Sequence, residues 1–404
     1  MNLSPLERVL GGGALDVHFQ PIFSLKQKRI VGLEALTRPG AVNIGQAFAS
    51  AREAGCLLEL DRLCRQRALE RYAALRATAG LAPEPLLFLN VEASVIAAGV
   101  VGSGALLRAT RAAGVDPQDV VIEINESQMR NDEALTRFVD QQRSHGFLIA
   151  LDDLGAGHSN LARIAQLRPH IIKLDRGLIA GLDRDFFKQE TVKCLARLGR
   201  GIGALVLAEG VETLEEVDCC AALGAELFQG YALSRPMAAR MLDLNHLNQR
   251  LLNASQRLRQ QGVSALQRRR VVRRRLEAMA LRGCRELLAR PPEEFAAVLA
   301  ALVRRDSSVE AAYLLDSRGQ QVGATHLGAN CAHSSNRLFA PSQDGTDHST
   351  KEYFFSLLDT GLKRFITDSY ISMATGKLCI TVAMTLDHSC GATYVLCIDR
   401  TLRR

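Results

Sequence analysis

Short apolar runs recur along the first 230 or so residues, and each ends in polar side chains. The clearest, residues 147–151, is followed at once by Asp152, Asp153, Leu154 and Gly155. A run of this length with turn residues behind it is typical of a strand covered on both faces. In parallel α/β folds, chemistry collects just past the carboxyl ends of such strands. The adjacent acids are therefore candidates for a functional site, although one of them could equally cap the next helix.

Eight such runs alternate with stretches of helical spacing. They are predicted as strands at residues 17–23, 30–38, 86–91, 120–126, 147–151, 170–175, 204–210 and 225–231. The turn between the first two is too short for the crossover that parallel strands require, so these two are expected to be antiparallel. Strands alternating with helices over roughly 230 residues predict an α/β fold, a TIM-type (β/α)8 barrel with an antiparallel first strand.

Polar residues mark the end of every strand from the second to the eighth. They are Glu34, Asn90, Glu123, Asp152 with Asp153, Lys173, Glu209 and Gln229. One lysine cannot balance five carboxylates, and burying unpaired charge is costly, so a satisfied salt-bridge layer does not easily absorb the acid excess. Oxygen ligands without His or Cys favour Mg²⁺ or Mn²⁺ over Zn²⁺. Because two cations about 4 Å apart suit in-line displacement at phosphorus, the pattern predicts phosphoester hydrolysis.

Length and composition allow a second domain. The chain has 404 residues, 47% hydrophobic and 23% charged, which is globular and suits a barrel plus a smaller unit. Ten scattered cysteines indicate reduced thiols, and neither a membrane span nor a signal peptide is visible, so a cytoplasmic protein is expected. The net charge of +7 is mild and does not indicate DNA binding.

The chain is expected to divide into a barrel at residues 1–245, a helical connector at 246–290 and a smaller domain at 291–404. In the connector, Leu247, Leu251, Ala254 and Leu258 recur at helical spacing, which fits either packing against the barrel or a two-stranded coiled coil. The arginine-rich tract 267–275 lacks interleaved aromatic residues and is interpreted as a solvated helix face.

After Pro291 and Pro292, the sequence predicts a helix at 293–303 and strands at 311–316, 366–372, 378–384 and 393–399. This α+β pattern resembles the PAS-like or Cache-like sensor domains that accompany signalling enzymes. The resemblance implies a small-molecule ligand, whose pocket the polar loop 326–350 with Cys331, His333 and His348 would border. A domain that serves only dimerisation is the alternative.

Seven motifs in the first part occur in the order of one known family. They are Gln20-Pro21-Ile22, Glu34-Ala35-Leu36-Thr37-Arg38, Glu123-Ile124-Asn125-Glu126, Asp152-Asp153-Leu154-Gly155, Lys173-Leu174-Asp175, Ala208-Glu209-Gly210-Val211-Glu212, and Gln229-Gly230-Tyr231 with Ser234-Arg235-Pro236-Met237. Together they resemble the EAL family of bacterial cyclic di-GMP phosphodiesterases, over about residues 1–245. The resemblance implies hydrolysis of cyclic di-GMP to linear pGpG with two Mg²⁺ or Mn²⁺ ions, inhibition by Ca²⁺, and a homodimer.

The resemblance also implies individual roles. Glu34, Asn90, Glu123 and Asp152 would hold one metal, Asp152 and Asp153 the other, with Glu209 nearby, and Lys173 would position the attacking water. Contacts to the dinucleotide would come from Gln20, Leu36, Arg38, Gln229, Gly230 and Pro236, with Arg38 on a phosphate. Glu126, Glu212 and Gly155 would support the site, Glu126 by anchoring the loop 155–161.

Four residues depart from the family pattern. Leu154 and His158 stand where aromatic residues are usual, Asn125 where Thr is usual, and Glu92 where a small hydroxyl is usual. Because Leu154 and His158 bear on the geometry of the loop 155–161, a cyclic di-GMP receptor with little turnover is the alternative function.

Overall fold

The computed structural model describes residues 5–11, 15–40, 43–79, 84–96, 104–125, 132–156, 161–329 and 338–402. The chain forms two compact units, Met1–Val263 and Ser264–Arg404. The boundary between them falls inside one long helix, Leu244–Leu288, so the two ends of this helix belong to different units.

Strands and helices alternate through the first unit. Its strands are β1 (Asp16–Ser24), β2 (Arg29–Arg38), β3 (Leu86–Val91), β4 (Val120–Asn125), β5 (Leu148–Leu154), β6 (Ile171–Leu174), β7 (Leu205–Ala208), β8 (Leu227–Phe228) and β9 (Met237–Ala238). Its helices are α1 (Pro5–Leu10), α2 (Ile44–Glu53), α3 (Leu57–Ala79), α4 (Ala93–Val95), α5 (Ala105–Ala112), α6 (Asp132–Ser144), α7 (Ala162–Leu167), α8 (Arg176–Ile179), α9 (Phe186–Ile202), α10 (Leu214–Leu223) and the start of α11 (Leu244–Leu288).

The strands close into the predicted barrel. Strands β2 to β8 follow one another in parallel, and β1 closes the sheet by pairing antiparallel with both β2 and β8. The TIM-type fold with an antiparallel first strand is therefore confirmed. The small strand β9 pairs antiparallel with β1 at His18 and Phe19 and was not predicted.

One buried apolar residue from each of the eight strands fills the barrel interior. These residues are Ile22, Val31, Phe88, Val121, Ala150, Ile171, Leu207 and Leu227. The alternate residues point outward and pack against the helices in a larger core. Because successive strand residues face opposite sides, each strand is apolar on both faces, which explains the nearly continuous apolar runs.

The start of α11 packs on the barrel. Leu247, Leu251 and Ala254 are buried in the outer core, and Leu258 packs against it. The Ser255 hydroxyl also donates to the Leu25 carbonyl oxygen at 3.1 Å. The apolar spacing here therefore reflects packing against the barrel, and it does not require a coiled coil.

The second unit is an antiparallel sheet between helices. Its strands are β10 (Val309–Leu315), β11 (Gln321–Leu327), β12 (Arg364–Ile366), β13 (Tyr370–Ile371), β14 (Leu378–Asp387) and β15 (Thr393–Thr401), and its helices are the end of α11, α12 (Phe295–Arg305) and α13 (Glu352–Leu358). The sheet order is β11-β10-β15-β14-β12, with β13 also on β14. Strand β11 and helix α13 were not predicted, and the single strand expected at 366–372 is two short strands.

Each face of this sheet has its own core. The end of α11 and helix α12 cover one face, where Leu276, Leu287, Phe295 and Leu302 are buried. Helix α13 covers the other face through Tyr353, Phe354 and Leu357. His348, expected in a polar loop, is instead buried and hydrogen-bonded to Gln321 and Tyr353. Cys331 and His333 lie outside the described residues.

Two carboxyl groups are buried side by side within the second unit. Glu310 is 0% and Asp399 is 4% exposed. Asp399 accepts a hydrogen bond from the Thr381 hydroxyl at 2.7 Å, and Glu310 accepts one from Thr401 at 2.9 Å. Burial raises the pKa of Asp399 to about 7; the Thr381 hydroxyl lowers it and Glu310 raises it. Ionised Asp399 is therefore unfavourable in the folded unit.

Replacement of Asp399 by asparagine tests this burial. A carboxyl whose folded pKa is raised favours the native state below its unfolded pKa, and this advantage is lost as the pH rises through the folded pKa. From about pH 5.5 to about pH 8.5, the wild type should thus lose about 2 kcal/mol of local stability relative to Asp399→Asn. Hydrogen exchange of β14 and β15 peptides at both pH values measures the difference. Asp387→Asn, at the exposed end of β14, is the matched control. The same difference in local stability between the wild type and Asp399→Asn at both pH values would contradict the expectation.

Candidate active site

The polar strand-end residues lie directly above the interior layer of the barrel. In strands β3 to β8 each follows its interior residue by two positions, so both side chains face inward. The pairs are Phe88 and Asn90, Val121 and Glu123, Ala150 and Asp152, Ile171 and Lys173, Leu207 and Glu209, and Leu227 and Gln229. In the antiparallel β1, Gln20 precedes Ile22 by two positions. The barrel therefore brings these side chains to one mouth.

Glu34 enters the mouth from β2 and joins two amides. Asn90 Nδ2 donates to Glu34 Oε1 at 3.1 Å, and Gln229 Nε2 donates to Glu34 Oε2. Gly32, two positions earlier, allows this arrangement, because a Cβ there would lie 2.3 Å from the ring of Phe88. The interior layer thus sets how closely β2 approaches the site.

Lys173 holds the carboxylates together. Its side chain is 1% exposed, and Nζ lies 2.5 Å from Glu123, 2.6 Å from Glu209 and 3.0 Å from Asp152. Losing one partner of a buried ion pair typically costs about 3–5 kcal/mol, because it leaves an uncompensated charge behind. Lys173 is therefore a structural requirement of the site as well as a candidate for its chemistry.

The electrostatic environment of this cluster disfavours the ionised form of its carboxyl groups. Burial and Glu34 raise the pKa of Glu123 well above its ordinary value, although Lys173 opposes the shift. Burial likewise raises the pKa of Glu209. Burial lowers the pKa of Lys173, but the carboxylates of Asp152, Glu123 and Glu209 outweigh it and raise that pKa well above normal. The lysine is thus a permanent cation among acids that need further positive charge.

The two adjacent aspartates reach one site through an unusual backbone conformation. Asp153 has φ of 58°, in the left-handed region that Asp tolerates better than most residues. The register of β5 against β6 also shifts between Leu151 and Leu154. Glycines are the residues expected to supply such backbone freedom, and the sequence places Gly155 and Gly157 just after the aspartates. The turn begins at Asp153 itself, Gly155 follows with φ of 107°, and Gly157 lies outside the described residues.

The donor set fits divalent cations. Two groups of carboxylates have ligand oxygens within 4.8 Å of one another: Glu34, Glu123 and Glu209, and Asp152, Asp153 and Glu209. Glu209 belongs to both. Apart from the ion pair with Lys173, the oxygens of Glu123 are buried without a hydrogen-bond partner among the described residues, as is Oε1 of Gln229. Buried oxygens of this kind are what a hard cation requires.

The acids line a cavity of about 380 Å³, and a second cavity of about 400 Å³ adjoins it. Gln20, Gln229 and Gly230 line the cavity that contains the acids. Leu36 and Arg38 line the neighbouring cavity. The hydrogen bonds from Asn90 to Glu34 and from Asn125 to Asp153 lie between them. The predicted substrate contacts are thus distributed over two adjoining spaces.

Other predicted residues lie around the mouth. Glu212 pairs with Arg176 at 2.9 Å, and a Cβ on Gly155 would collide with Leu178 at 2.5 Å. Within the described part of the chain, Pro236 lines neither cavity, but Gln20 Nε2 donates to the nearby Ser234 carbonyl oxygen at 3.2 Å. Glu126 and His158 lie outside the described residues, as does most of the loop 155–161.

Sequence reasoning missed several residues at the site. Arg176 lines the acidic cavity, and its position directly behind Lys173-Leu174-Asp175 could have signalled this. Tyr231 lies at the rim, with the Arg235 guanidinium 4.3 Å from its ring centre. Asn125 was noted only as a departure, yet it donates to Asp153. Contacts of this kind join separate strands, which no local pattern reveals.

Comparison with known proteins identifies the barrel. The family model described as the EAL domain matches residues 5–236. This chain belongs to the EAL domain family. Among the described residues of the EAL chain, none of the helices has the length and apolar character that a bilayer crossing requires.

Relatives of this EAL chain include a protein named for both the synthesis and the hydrolysis of cyclic di-GMP. The bifunctional diguanylate cyclase/cyclic di-GMP phosphodiesterase MucR of Pseudomonas aeruginosa is 32% identical over 254 residues, which are 59% of this chain and 36% of MucR. The matches span 28% to 61% of the length of four curated relatives.

Two solved structures place the fold. The Bacillus subtilis YkuI protein, with an EAL domain, in complex with substrate c-di-GMP and calcium, has a TM-score of 0.80 and 24% identity over 100% of both chains, which shows the shared fold. The manganese/cyclic di-GMP complex of Klebsiella pneumoniae BlrP1 has a TM-score of 0.52 and 28% identity, covering 56% of this chain and 57% of that one.

Metal binding should stabilise the barrel measurably. A cation at about a hundred times its dissociation constant contributes about 2.7 kcal/mol, which corresponds to a rise of about 5 °C in melting temperature. Mn²⁺ should produce this rise in calorimetry of the full chain. Asp152→Asn should abolish it, and comparison with the metal-free melting temperature of the same variant separates the metal response from the loss of the ion pair between Asp152 and Lys173. Asp140→Asn, on the exposed face of α6, should respond like the wild type. A full metal response in Asp152→Asn would contradict the site.

Proposed function

We propose that this EAL chain is a cytoplasmic phosphodiesterase that uses two divalent cations, Mg²⁺ or Mn²⁺, to hydrolyse cyclic di-GMP to linear pGpG. The observation that carries the proposal is the buried cluster of Glu34, Glu123, Asp152 and Glu209 around Lys173. The phosphodiesterase activity in the name of MucR and the manganese/cyclic di-GMP complex of BlrP1 support it.

The residues divide between two cations. Glu34, Asn90, Glu123 and Asp152 would hold one, and Asp152 and Asp153 the other, with Glu209 beside both. Bound there, the cations supply Lewis acidity and charge neutralisation at a phosphodiester, and they activate an attacking water. Two ions also balance the acid excess that Lys173 alone leaves, so binding and site stability depend on the same charges.

The protein contributes position and charge. Lys173 Nζ is fixed by three carboxylates, so its ammonium group can orient a water molecule at the centre of the cluster. The amide of Gln229 is 3% exposed and holds Glu34 in place. Arg38, in the neighbouring cavity, offers a planar donor pair for a phosphate oxygen. The substrate would therefore span both cavities, with its scissile phosphate at the acids.

Substitution of Glu34 tests the enzyme directly. Glu34→Ala should lower turnover of cyclic di-GMP on the order of a thousandfold, because a cation ligand worth several kcal/mol of charge stabilisation is lost. Chromatography measures the rate of pGpG formation with Mg²⁺ or Mn²⁺, and circular dichroism checks that the variant is folded. Glu190→Gln, on the surface of α9, is the control. Hydrolysis of cyclic di-GMP by Glu34→Ala at the wild-type rate would contradict the proposal.

A cyclic di-GMP receptor is the second candidate function. The observation that favours it is the hydrogen bond from Asn125 to Asp153, because it engages a proposed metal ligand with a residue where the family usually has Thr. A receptor should bind cyclic di-GMP in calorimetry yet form no pGpG with Mg²⁺, Mn²⁺ or Ca²⁺. Asn125→Thr should then gain turnover. Product formation by the wild-type chain with Mg²⁺ or Mn²⁺ would reject the receptor.

We further propose that the chain works as an EAL barrel at residues 1–245, a connector at 246–290 and a sensory domain at 291–404, in a homodimer. The two-sided sheet of the second unit, with its buried polar groups, supports a sensory role. Comparing pGpG formation by the full chain and by residues 1–263, which keep the part of α11 that packs on the barrel, measures whether the second part activates or restrains the barrel.

A further inference from the structure

Glu92 continues the row of side chains that β3 directs toward the mouth of the barrel. Phe88, Asn90 and Glu92 follow one another at intervals of two, which is the spacing of residues on one face of a strand. Glu92 comes directly after the last residue of β3, and it lines the cavity of about 400 Å³ that also contains Leu36 and Arg38. A carboxylate thus lies in the proposed substrate space, at a position where the family usually has a small hydroxyl residue.

The Glu92 side chain is held in place and is 12% exposed. Arg52 Nη2 donates to Glu92 Oε1 at 3.1 Å, and the Ser94 hydroxyl donates to the same oxygen at 2.6 Å. The Glu92 backbone N–H donates to Asp61 Oδ1 at 3.2 Å. A carboxylate offers about four acceptor positions over its two oxygens, so it can keep both side-chain donors while it accepts from a ligand.

Helix α2 brings an aromatic ring and a guanidinium group to the same cavity. Phe48 and Arg52 are four positions apart, so they are neighbours on one face of the helix. Both line the cavity, together with Leu36 and Leu89. Apolar walls with a few placed polar groups are typical of small-molecule sites, and the ring of Phe48 offers a flat nucleobase a surface to pack on.

The charged side chains of this cavity form two ion pairs and leave one further cation. Arg65 lies 2.5 Å from Asp61, and Arg52 lies 3.1 Å from Glu92. Arg38 also lines the cavity, and it forms no ion pair with an acid in the part of the chain that the structure describes. Arg38 therefore suits a phosphate, whereas the pair of Arg52 and Glu92 suits an uncharged group that carries both donors and acceptors.

We propose, resting on the function proposed above, that Glu92 and Arg52 recognise the Watson–Crick edge of one guanine of cyclic di-GMP. That edge carries donors at N1 and N2 and an acceptor at O6. Glu92 accepts from N1–H and N2–H, and Arg52 donates to O6. Adenine has an acceptor at N1 and a donor at N6, so the same pair meets it acceptor to acceptor and donor to donor. Glu92 and Arg52 are thus specificity-determining residues for guanine.

A nearly buried carboxylate gives such a contact strong discrimination. A carboxylate that faces an acceptor loses hydrogen bonds, and a site built to bond a polar group rejects analogues that lack it. The alternative is that Arg52 and Glu92 only tie α2 to β3. An ion pair whose arginine is 53% exposed contributes little to stability, so this role does not account for the carboxylate.

Calorimetry of the full chain compares cyclic di-GMP with cyclic di-IMP, whose inosine bases lack only the N2 amine. Ca²⁺ is the added ion, because it is expected to suppress turnover. The wild type should bind cyclic di-GMP on the order of tenfold more tightly, since the analogue leaves one acceptor of Glu92 unpaired. Glu92→Gln keeps an oxygen for Arg52 and Ser94 but turns an amide donor toward the guanine donors, so this preference should disappear.

Two further variants separate recognition from structure. Inosine keeps O6, so Arg52→Gln should weaken the binding of both dinucleotides and retain a preference for cyclic di-GMP. Glu70→Gln, on the exposed face of α3, is the matched control and should bind both like the wild type. A purely structural role of Glu92 would weaken both dinucleotides by the same factor, so the ratio of the two affinities is the deciding measurement.

Equal affinities of the wild type for the two dinucleotides would overturn the proposal, and so would an unchanged preference in a Glu92→Gln variant that circular dichroism shows to be folded. If Glu92→Gln does not fold, Glu92→Ser, with the hydroxyl usual in the family, takes its place. Formation of pGpG with Mg²⁺ is measured separately. A chain whose preference depends on Glu92 but that forms no pGpG retains the recognition and loses the hydrolysis. Turnover with a preference unaffected by Glu92 does the reverse.

Discussion

The barrel mouth depends on one buried lysine. Lys173 is in ion-pair contact with Glu123, Asp152 and Glu209, and it is almost wholly removed from water. Charges at this depth persist only when opposite charges neutralise them. Because the cluster contains more acids than Lys173 can balance, its geometry is tied to further positive charge. The structural requirement and the proposed chemistry are thus two consequences of the same imbalance.

The interior layer makes this cluster possible. Eight apolar side chains fill the barrel, and the next inward position on most strands is a polar residue of the site. A tightly packed floor resists compression and holds the polar layer above it at fixed spacing. Gly32 shows how tight this packing is, because even a methyl group there would overlap Phe88. Function at the mouth therefore rests on apolar packing two residues below it.

The second unit handles buried polarity by a different route. Glu310 and Asp399 are surrounded by hydroxyl donors, with Thr381, Thr401 and Tyr370 among the neighbouring groups. Hydroxyl groups satisfy the oxygens but do not neutralise charge, so a raised pKa is the result for Asp399. In the barrel, Lys173 provides the compensation instead. That compensation is partial, because burial still raises the pKa of Glu123 and of Glu209. The two units thus differ in the partners of their buried acids, whereas in both units burial raises the pKa of buried carboxyl groups such as Asp399 and Glu123.

The sequence by itself determined the barrel and the composition of its site. Apolar runs of strand length, the short first turn and the polar residue behind each run are local features, and period-two alternation makes them readable without coordinates. The identity of the acids, Lys173 and Gln229 followed directly. In the second unit, the longer apolar strands β10, β14 and β15 could be located in the same way, but β11, whose residues are mostly partly exposed, could not.

Tertiary structure alone decided which residues meet. Three contacts join separate elements: the hydrogen bond from Asn125 to Asp153, the place of Arg176 beside the acids, and the contact of His388 with the Arg290 carbonyl group. The left-handed backbone at Asp153 likewise appears only in the folded chain. Packing likewise decided that the stripe around Leu251 covers the barrel. Such contacts depend on strand register and helix placement, which are set by the whole core, so no local pattern could specify them.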